Sequence, residues 1–174
     1  SIAHTLIEAN LRPDDIVPVH IQKSPQFYAS ILGVLKAGAA FAPVHPSLPE
    51  ARRKVMLQEL KPKLVLCSDN SMLSKNLTEA IVVNVQAVPP TPNSNPAISS
   101  LNDSNLAYCL FTSGSTGVPK AVSMEHRAPI QTILSSNSRI PWSSSSRLLQ
   151  YAAVTFDMCY YDCLLAWTFG FTLC

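Results

Sequence analysis

The feature that most constrains this chain is a short polar loop that follows an apolar, β-prone run. Residues 106–111 read LAYCLF, residues 112–117 read TSGSTG, and Lys120 follows shortly after. Small hydroxyl side chains, glycines and free backbone N–H groups supply donors to an anion and leave room for its approach. The pattern therefore predicts a strand that enters a phosphate-binding loop, with a cation close to the loop.

The loop is not a Walker P-loop, although part of its spacing is similar. Gly114 and Lys120 lie where the first glycine and the lysine of that motif would be. However, Pro119 replaces its second glycine, and Ala121 replaces the serine or threonine that would contact Mg²⁺. A different family of phosphate-binding loops must therefore account for the pattern, unless this is a plain Ser/Thr/Gly surface loop between strands.

Residues 106–122 (LAYCLFTSGSTGVPKAV) resemble the phosphate-loop signature of adenylate-forming enzymes. The resemblance is specifically to the adenylation domains of nonribosomal peptide synthetases, whose usual pattern is LAYxxYTSGSTGxPKGV. This chain differs from that pattern at Phe111 and Ala121. Within the family, the resemblance includes the fungal synthetases as one possible type. The resemblance implies that ATP and Mg²⁺ are used. The implied phosphate contacts are Thr112, Ser113, Gly114, Ser115, Thr116, Gly117 and Lys120.

A second segment supports the same resemblance. Residues 35–43 (LKAGAAFAP) are similar to the LKAGxAYVP stretch of these adenylation domains. Prolines follow it, and then a predicted helix that carries Arg52 and Arg53. The resemblance implies a scaffold function for this segment, with no chemistry of its own.

A third segment, Phe156 and Asp157, resembles the start of the family's FDxS motif, with Cys159 in place of the serine. The resemblance implies that Asp157 pairs with the α-ammonium group of an amino-acid substrate. A carboxylate beside a partly apolar cleft is suited to holding such a cation. By the same resemblance, Met158 and Tyr161 line the pocket for the substrate side chain. The alternatives are that Asp157 is only a helix N-cap, and that Met158 and Tyr161 are ordinary core residues.

Alternating helix and strand signals predict an α/β fold, with a parallel or mixed sheet flanked by helices. The resemblance implies one unit over residues 1–174, an incomplete part of the large N-terminal subdomain of an adenylate-forming enzyme. Residues 88–105, rich in proline, serine and asparagine, predict an extended connector. The last helix is expected to begin at Phe156 and Asp157, and helix 1–12 to open the chain. Strands are predicted at 16–21, 40–44, 63–67, 81–85, 106–111, 121–124 and 147–153.

Composition narrows the classes of function. The chain has 174 residues, of which 47% are apolar and 14% charged, and its net charge is +2. This charge is too small to predict binding to nucleic acid or to a membrane surface. No signal peptide and no membrane-spanning run are recognisable. The odd number of cysteines, mostly within apolar runs, favours reduced thiols in a cytoplasmic protein.

The other reactive residues predict no further site. Cys159 and Cys163 are four apart on a predicted helix, but no histidine or other cysteine lies near them at zinc spacing, so no metal site is predicted. The histidines do not have the partners that a Ser-His-Asp triad needs. No catalytic residue is therefore assigned within these 174 residues.

The resemblance implies a definite reaction. An amino acid would be activated as aminoacyl-AMP and then loaded onto the phosphopantetheine of a carrier. The expected partners are the peptidyl carrier and condensation domains of the same megasynthase. The family's catalytic lysine belongs to a C-terminal lid, so Lys120 is expected to be a loop cation. The 174 residues alone are expected to be inactive and to expose sheet edge and apolar surface.

Two other functions stay open at this point. An acyl- or aryl-CoA synthetase of the same superfamily would share the phosphate loop but would have no ammonium group to pair with Asp157. A non-catalytic nucleotide-binding or structural piece would bind ATP without forming an adenylate.

Overall fold

A computed structural model of the chain describes residues 1–69, 79–89, 95–96, 98, 100–113 and 119–174. Helices and strands alternate along most of it. In chain order they are α1 Ile2–Glu8, β1 Ile16–His20, α2 Pro25–Lys36, β2 Ala40–Pro43, α3 Glu50–Leu60, β3 Leu64–Cys67, β4 Ile81–Asn84, β5 Leu106–Ser113, β6 Pro119–Glu125, α4 Arg127–Asn137, β7 Arg147–Leu148, α5 Asp157–Phe169 and β8 Thr172–Leu173.

Six strands form one mixed sheet in the order β4-β3-β1-β2-β5-β6. All neighbours in this sheet run parallel except β5 and β6, which form an antiparallel hairpin. The short strands β7 and β8 pair in parallel as a separate two-stranded sheet. The prediction of an α/β fold with a parallel or mixed sheet is therefore confirmed.

The connection from β1 to β2 through α2 shows how local signals set the fold. The Ser24 hydroxyl accepts a hydrogen bond from the Phe27 N–H at 3.3 Å, and Pro25 begins the helix. After the last turn of α2, Gly38 adopts a φ of 76°, a conformation that residues with a Cβ rarely adopt, and the helix does not continue. These two local signals define where α2 begins and ends.

Alternating side chains on the strands build a core on each face of the sheet. Val19, Phe41 and Leu66 lie in the larger cluster, which also contains buried residues of α1 and α2. On the opposite face, Val65 packs with Met56 and Leu57 of α3 in a smaller cluster. The sheet therefore lies between two helical layers, as the βαβ pattern requires.

Two predicted elements are wrong in length. The predicted strand 147–153 is a strand only over Arg147–Leu148, which pair with Thr172 and Leu173 of β8. Farther along this segment, the carbonyls of Gln150 and Ala152 accept hydrogen bonds from the Lys23 ammonium group at 3.0 and 3.4 Å. The predicted helix 1–12 ends at Glu8, shortly before Asn10 adopts a left-handed conformation.

The helices α4 and α5 pack against each other beside the β5–β6 hairpin. Ile133 of α4 and Leu165 of α5 share a third buried cluster with Phe171, which precedes β8. Among the described residues, no helix has the length and apolar character that crossing a membrane would require.

Candidate functional site

A cavity of about 470 Å³ opens at the carboxyl end of β5, beside the start of α5. Ligands of open α/β sheets bind at this end of the strands. Its walls come from α3, from both strands of the hairpin and from the segment that leads into α5. The described residues that line it are Arg52, Tyr108, Leu110, Phe111, Thr112, Ser113, Val122, Met124, Thr155, Phe156 and Asp157.

The register of the hairpin explains one wall of this cavity. Side chains directly opposite one another on antiparallel strands lie on the same face, and every second residue returns to that face. Burial along β5 decreases toward the loop, from fully buried residues in its middle to exposed Thr112 and Ser113. The three opposed pairs on this face are Tyr108 with Met124, Leu110 with Val122, and Thr112 with Lys120.

An aromatic cluster holds the start of α5 over the sheet. The ring of Tyr160 lies 4.8 Å from that of Phe41 and 5.9 Å from that of Tyr108, measured between centroids. Tyr160 is fully buried, and its hydroxyl donates a hydrogen bond to the carbonyl of Val154. Since Tyr160 lies one turn after Asp157, this packing fixes the position of the Asp157 carboxylate relative to β5.

Asp157 is the first residue of α5 and is exposed to solvent. Phe156 occupies the N-cap position, so the alternative that Asp157 is merely the N-cap of this helix is wrong. One carboxylate oxygen, Oδ1, accepts a hydrogen bond from the Met158 N–H at 2.8 Å. Neither ion pair among the described residues involves Asp157, and its charge is therefore available to a ligand.

A second, smaller cavity of about 250 Å³ lies on the other side of Asp157. Asp157, Tyr108 and Met124 border both cavities. The other residues that line the smaller one come from α4 and α5; they are Ala128, Pro129, Thr132, Met158, Tyr161 and Leu164. Met158 is 51% exposed and is therefore not an ordinary core side chain, whereas Tyr161 is half-buried and also packs against the cluster of Ile133 and Leu165.

The pKa of the Tyr108 phenol, in the wall that the two cavities share, is shifted by its surroundings. Burial raises its pKa, and the negative charge of Asp157 raises it further. Tyr108 therefore stays protonated at neutral pH and can donate a hydrogen bond.

The predicted site residues can now be located. Thr112 and Ser113 line the larger cavity, and Lys120 lies opposite Thr112 on β6. Asp157 lies between the cavities, and Met158 and Tyr161 line the smaller one. The remaining predicted phosphate contacts lie outside the described residues; they are Gly114, Ser115, Thr116 and Gly117.

Sequence reasoning assigned no function to two residues that border the larger cavity, Arg52 and Tyr108. The alternation of Tyr108, Leu110 and Thr112 along β5 was a usable signal for Tyr108, since residues two apart share a face. For Arg52 there was no such signal, because helix α3 and strand β5 are far apart in the chain.

The cysteines give no second site. Cys67, Cys109, Cys159 and Cys163 are buried free thiols, and Cys174 is exposed. A hydrogen bond between Cys159 and Cys163 shifts their pKa values apart, lowering that of Cys159 and raising that of Cys163. Within the part of the chain that the structure describes, no group of three or more His, Cys, Asp and Glu side chains could hold a metal ion.

Comparison with known proteins decides the family. The sequence model described as "AMP-binding enzyme" matches residues 1–174, which is the whole chain. This chain belongs to the AMP-binding enzyme family. The chain is 66% identical over 173 residues to Nonribosomal peptide synthetase 2 of Cochliobolus heterostrophus, covering 99% of the chain and 3% of that protein. It is 43% identical over 176 residues to Nonribosomal peptide synthetase Ao415 of Arthrobotrys oligospora, covering 99% of the chain and 5% of that protein.

Solved structures agree with this assignment. FmoA3, a nonribosomal peptide synthetase solved with α-methyl-L-serine-AMP bound, matches with a TM-score of 0.84 and 25% identity, covering 99% of the chain and 19% of FmoA3. The N-terminal subdomain of Klebsiella oxytoca NpsA, in complex with 3-hydroxyanthranilyl-AMSN, matches with a TM-score of 0.81 and 26% identity, covering 99% of the chain and 43% of NpsA. The chain thus spans less than half of each of these two solved structures, and only a few per cent of the two synthetases matched by sequence.

Proposed function

We propose that a protein containing this chain activates an amino acid as its aminoacyl adenylate. An oxygen of the substrate carboxylate attacks the α-phosphorus of ATP, and the bond to pyrophosphate breaks, so that aminoacyl-AMP and pyrophosphate form. The aminoacyl group would then pass to the phosphopantetheine thiol of a carrier domain, where a thioester bond forms as the bond to AMP breaks.

One observation carries this proposal: Asp157 borders two cavities of different character. The larger one also has the hydroxyls of Thr112 and Ser113 in its wall. The smaller one has Met158 and Tyr161. A substrate with its α-ammonium group at Asp157 would point its carboxylate toward the first cavity and its side chain into the second, which is the orientation that adenylation needs.

The residues around the larger cavity would bind and orient the triphosphate. The hydroxyls of Thr112 and Ser113 can donate to phosphate oxygens, and Lys120 lies opposite Thr112 on the hairpin. In the proposed site, the loop residues Gly114, Ser115, Thr116 and Gly117 complete this phosphate contact. The apolar wall formed by Leu110 and Val122 would exclude water on one side.

Magnesium would arrive with the nucleotide rather than occupy a site of its own. The only carboxylate among the described residues that line the larger cavity is Asp157. Since Asp157 is assigned to the substrate ammonium, the ion would be held here by the substrate phosphates and would keep several water ligands. When bound, the ion would offset charge that develops on the phosphates.

The proposed partners follow from the proposed reaction. They are the peptidyl carrier domain that accepts the acyl group and the condensation domain of the same cytoplasmic megasynthase. In this proposal, residues 1–174 are the front part of an adenylation domain, with an extended connector at 88–105, and they do not catalyse adenylation alone.

Exchange of radiolabel between pyrophosphate and ATP tests the proposal. The full-length protein is expected to catalyse exchange that depends on one or a few amino acids. Each amino acid is compared with its deaminated analogue, which keeps the carboxylate but cannot pair with Asp157. Absence of exchange with every amino acid would refute the proposal.

A second candidate is activation of an aryl or acyl acid. One observation favours it, because the NpsA neighbour is in complex with a 3-hydroxyanthranilyl compound, which has an aromatic acyl group. Exchange that depends on aromatic or fatty acids without an α-amino group would support this candidate. Against it stands the exposed carboxylate of Asp157, for which such substrates have no cation.

A further inference from the structure

We propose that Arg52 binds the β- and γ-phosphates of ATP and the pyrophosphate product. This inference rests on the proposed function and adds to it a residue from the helix α3. The family resemblance gave that segment a scaffold function only. Three observations carry the inference: the charge of the cavity, the position of α3, and the contrast between Arg52 and its neighbours.

The first observation is the distribution of charge around the larger cavity. Among the described residues that line it, the only charged ones are Arg52 and Asp157. A triphosphate is multiply anionic, so Asp157 would repel it and Arg52 would attract it. The two charges therefore favour one direction of binding, with the phosphates toward Arg52 and the substrate ammonium toward Asp157. The planar guanidinium group is also suited to paired hydrogen bonds with phosphate oxygens.

The second observation is the packing that aims Arg52 at the predicted phosphate hydroxyls. Met56 of α3 is buried in the same cluster in which Phe111 of β5 packs. Arg52 lies one helical turn before Met56, and therefore on the same side of α3. Ser113 lies two residues after Phe111, and therefore on the same face of β5. Both Arg52 and Ser113 line the larger cavity as a result.

The third observation is that Arg52 has no other partner among the described residues. No ion pair and no hydrogen bond to any of these residues involves its guanidinium group, and the residue is exposed. The adjacent Arg53 differs, because its Nη1 donates to Nε2 of buried His20 at 3.3 Å. Lys54 is exposed but does not line the cavity. Three consecutive cations thus have different surroundings, and only Arg52 faces the proposed phosphate site.

The test uses the full-length protein and the variants Arg52→Gln, Arg52→Lys and Lys54→Gln. In pyrophosphate–ATP exchange, Arg52→Gln is expected to raise KM for both ATP and pyrophosphate about tenfold, the effect of losing roughly 1.4 kcal/mol of binding. KM for the amino acid should stay unchanged. Arg52→Lys should restore part of the loss, because it keeps the charge but not the planar fork. Lys54→Gln removes the same charge from the same helix and should behave as wild type.

The outcomes separate this inference from the proposed function. Unchanged KM values for ATP and pyrophosphate in Arg52→Gln would overturn it. So would an equal rise in KM for the amino acid, which would indicate a structural effect on the whole site. Susceptibility to pulse proteolysis checks that Arg52→Gln is folded. If it is not, Arg52→Lys must by itself raise KM for ATP and pyrophosphate while KM for the amino acid stays unchanged. A wild-type protein without any exchange would refute the proposed function, and this inference with it.

Discussion

The centre of the sheet and the rim of its larger cavity differ in what their residues contact. Strands β2 and β3 are buried along their full length, and β1 is buried from Val17 onward. The cavity rim, which we define as Arg52, Thr112, Ser113 and Asp157, is exposed. Because β5 belongs to both regions, one strand passes from core to site within a few residues. Stability and ligand binding should therefore respond to different substitutions in this molecule.

The largest expected effect is on the rim. Replacing Asp157 with Asn keeps the shape of the side chain but removes its charge, and KM for the amino acid should rise about 100-fold, or roughly 3 kcal/mol. Resistance to urea should not change, because the carboxylate is exposed. Exchange kinetics of the full-length protein measure the first effect. Asp103→Asn, at an exposed turn before β5, is the matched control. An equal rise in KM for the amino acid in both variants would contradict the assignment of Asp157 to the substrate ammonium.

The next effect is on the centre of the sheet. Val19→Ala on β1 removes two buried methyl groups and should cost about 2 kcal/mol of unfolding free energy. The same substitution at Val122, which is 43% exposed on β6, should cost well under about 1 kcal/mol. Pulse proteolysis of the full-length protein in urea measures both. Similar urea midpoints for the two variants would contradict the distinction between the regions.

A smaller effect is expected from one hydroxyl on the rim. Thr112→Ala should raise KM for ATP about fivefold, since a hydrogen bond of this kind contributes about 1 kcal/mol. KM for the amino acid should be unaffected. Thr168→Ala removes a hydroxyl from an exposed position at the other end of α5 and serves as the control. A wild-type KM for ATP in Thr112→Ala would remove this residue from the proposed phosphate site.

The smallest effect concerns the end of the hairpin that lies farthest from the rim. His126 follows β6 there, and its backbone N–H donates to the carbonyl of Asn105 at 2.9 Å. Burial lowers the pKa of His126 below its ordinary value of 6.5, although Asp14 partly opposes this. The folded state therefore binds this proton less readily than the unfolded state does. Its contribution to stability is present above pH 6.5 and is lost as the pH falls through the lowered pKa.

The variant His126→Gln measures this contribution. The drop in urea resistance between pH 7.5 and pH 5.5 should be smaller in His126→Gln than in wild type. Burial also lowers the pKa of His45, so part of the drop should persist in the variant. An identical pH dependence in the two proteins would show that His126 titrates normally.

Much of the fold was predictable because its signals are local. The Ser24 cap and the Gly38 stop define α2, and each acts on backbone groups within a few residues. The strand predicted at 147–153 was wrong for the opposite reason. Its later carbonyls bond to Lys23, a partner on a distant part of the chain that no local pattern reveals.

The proposed site divides in the same way. The sequence by itself determined the residue types of the loop after β5, the carboxylate at the start of α5 and, through its motifs, the family. Only the tertiary structure decided that Asp157 lies between two cavities, since this follows from Tyr160 packing on Phe41 and Tyr108. It also decided that Arg52 shares a cavity with Ser113. The physical reason is that such contacts join residues far apart in the chain, and buried packing between elements, rather than local propensity, sets their positions.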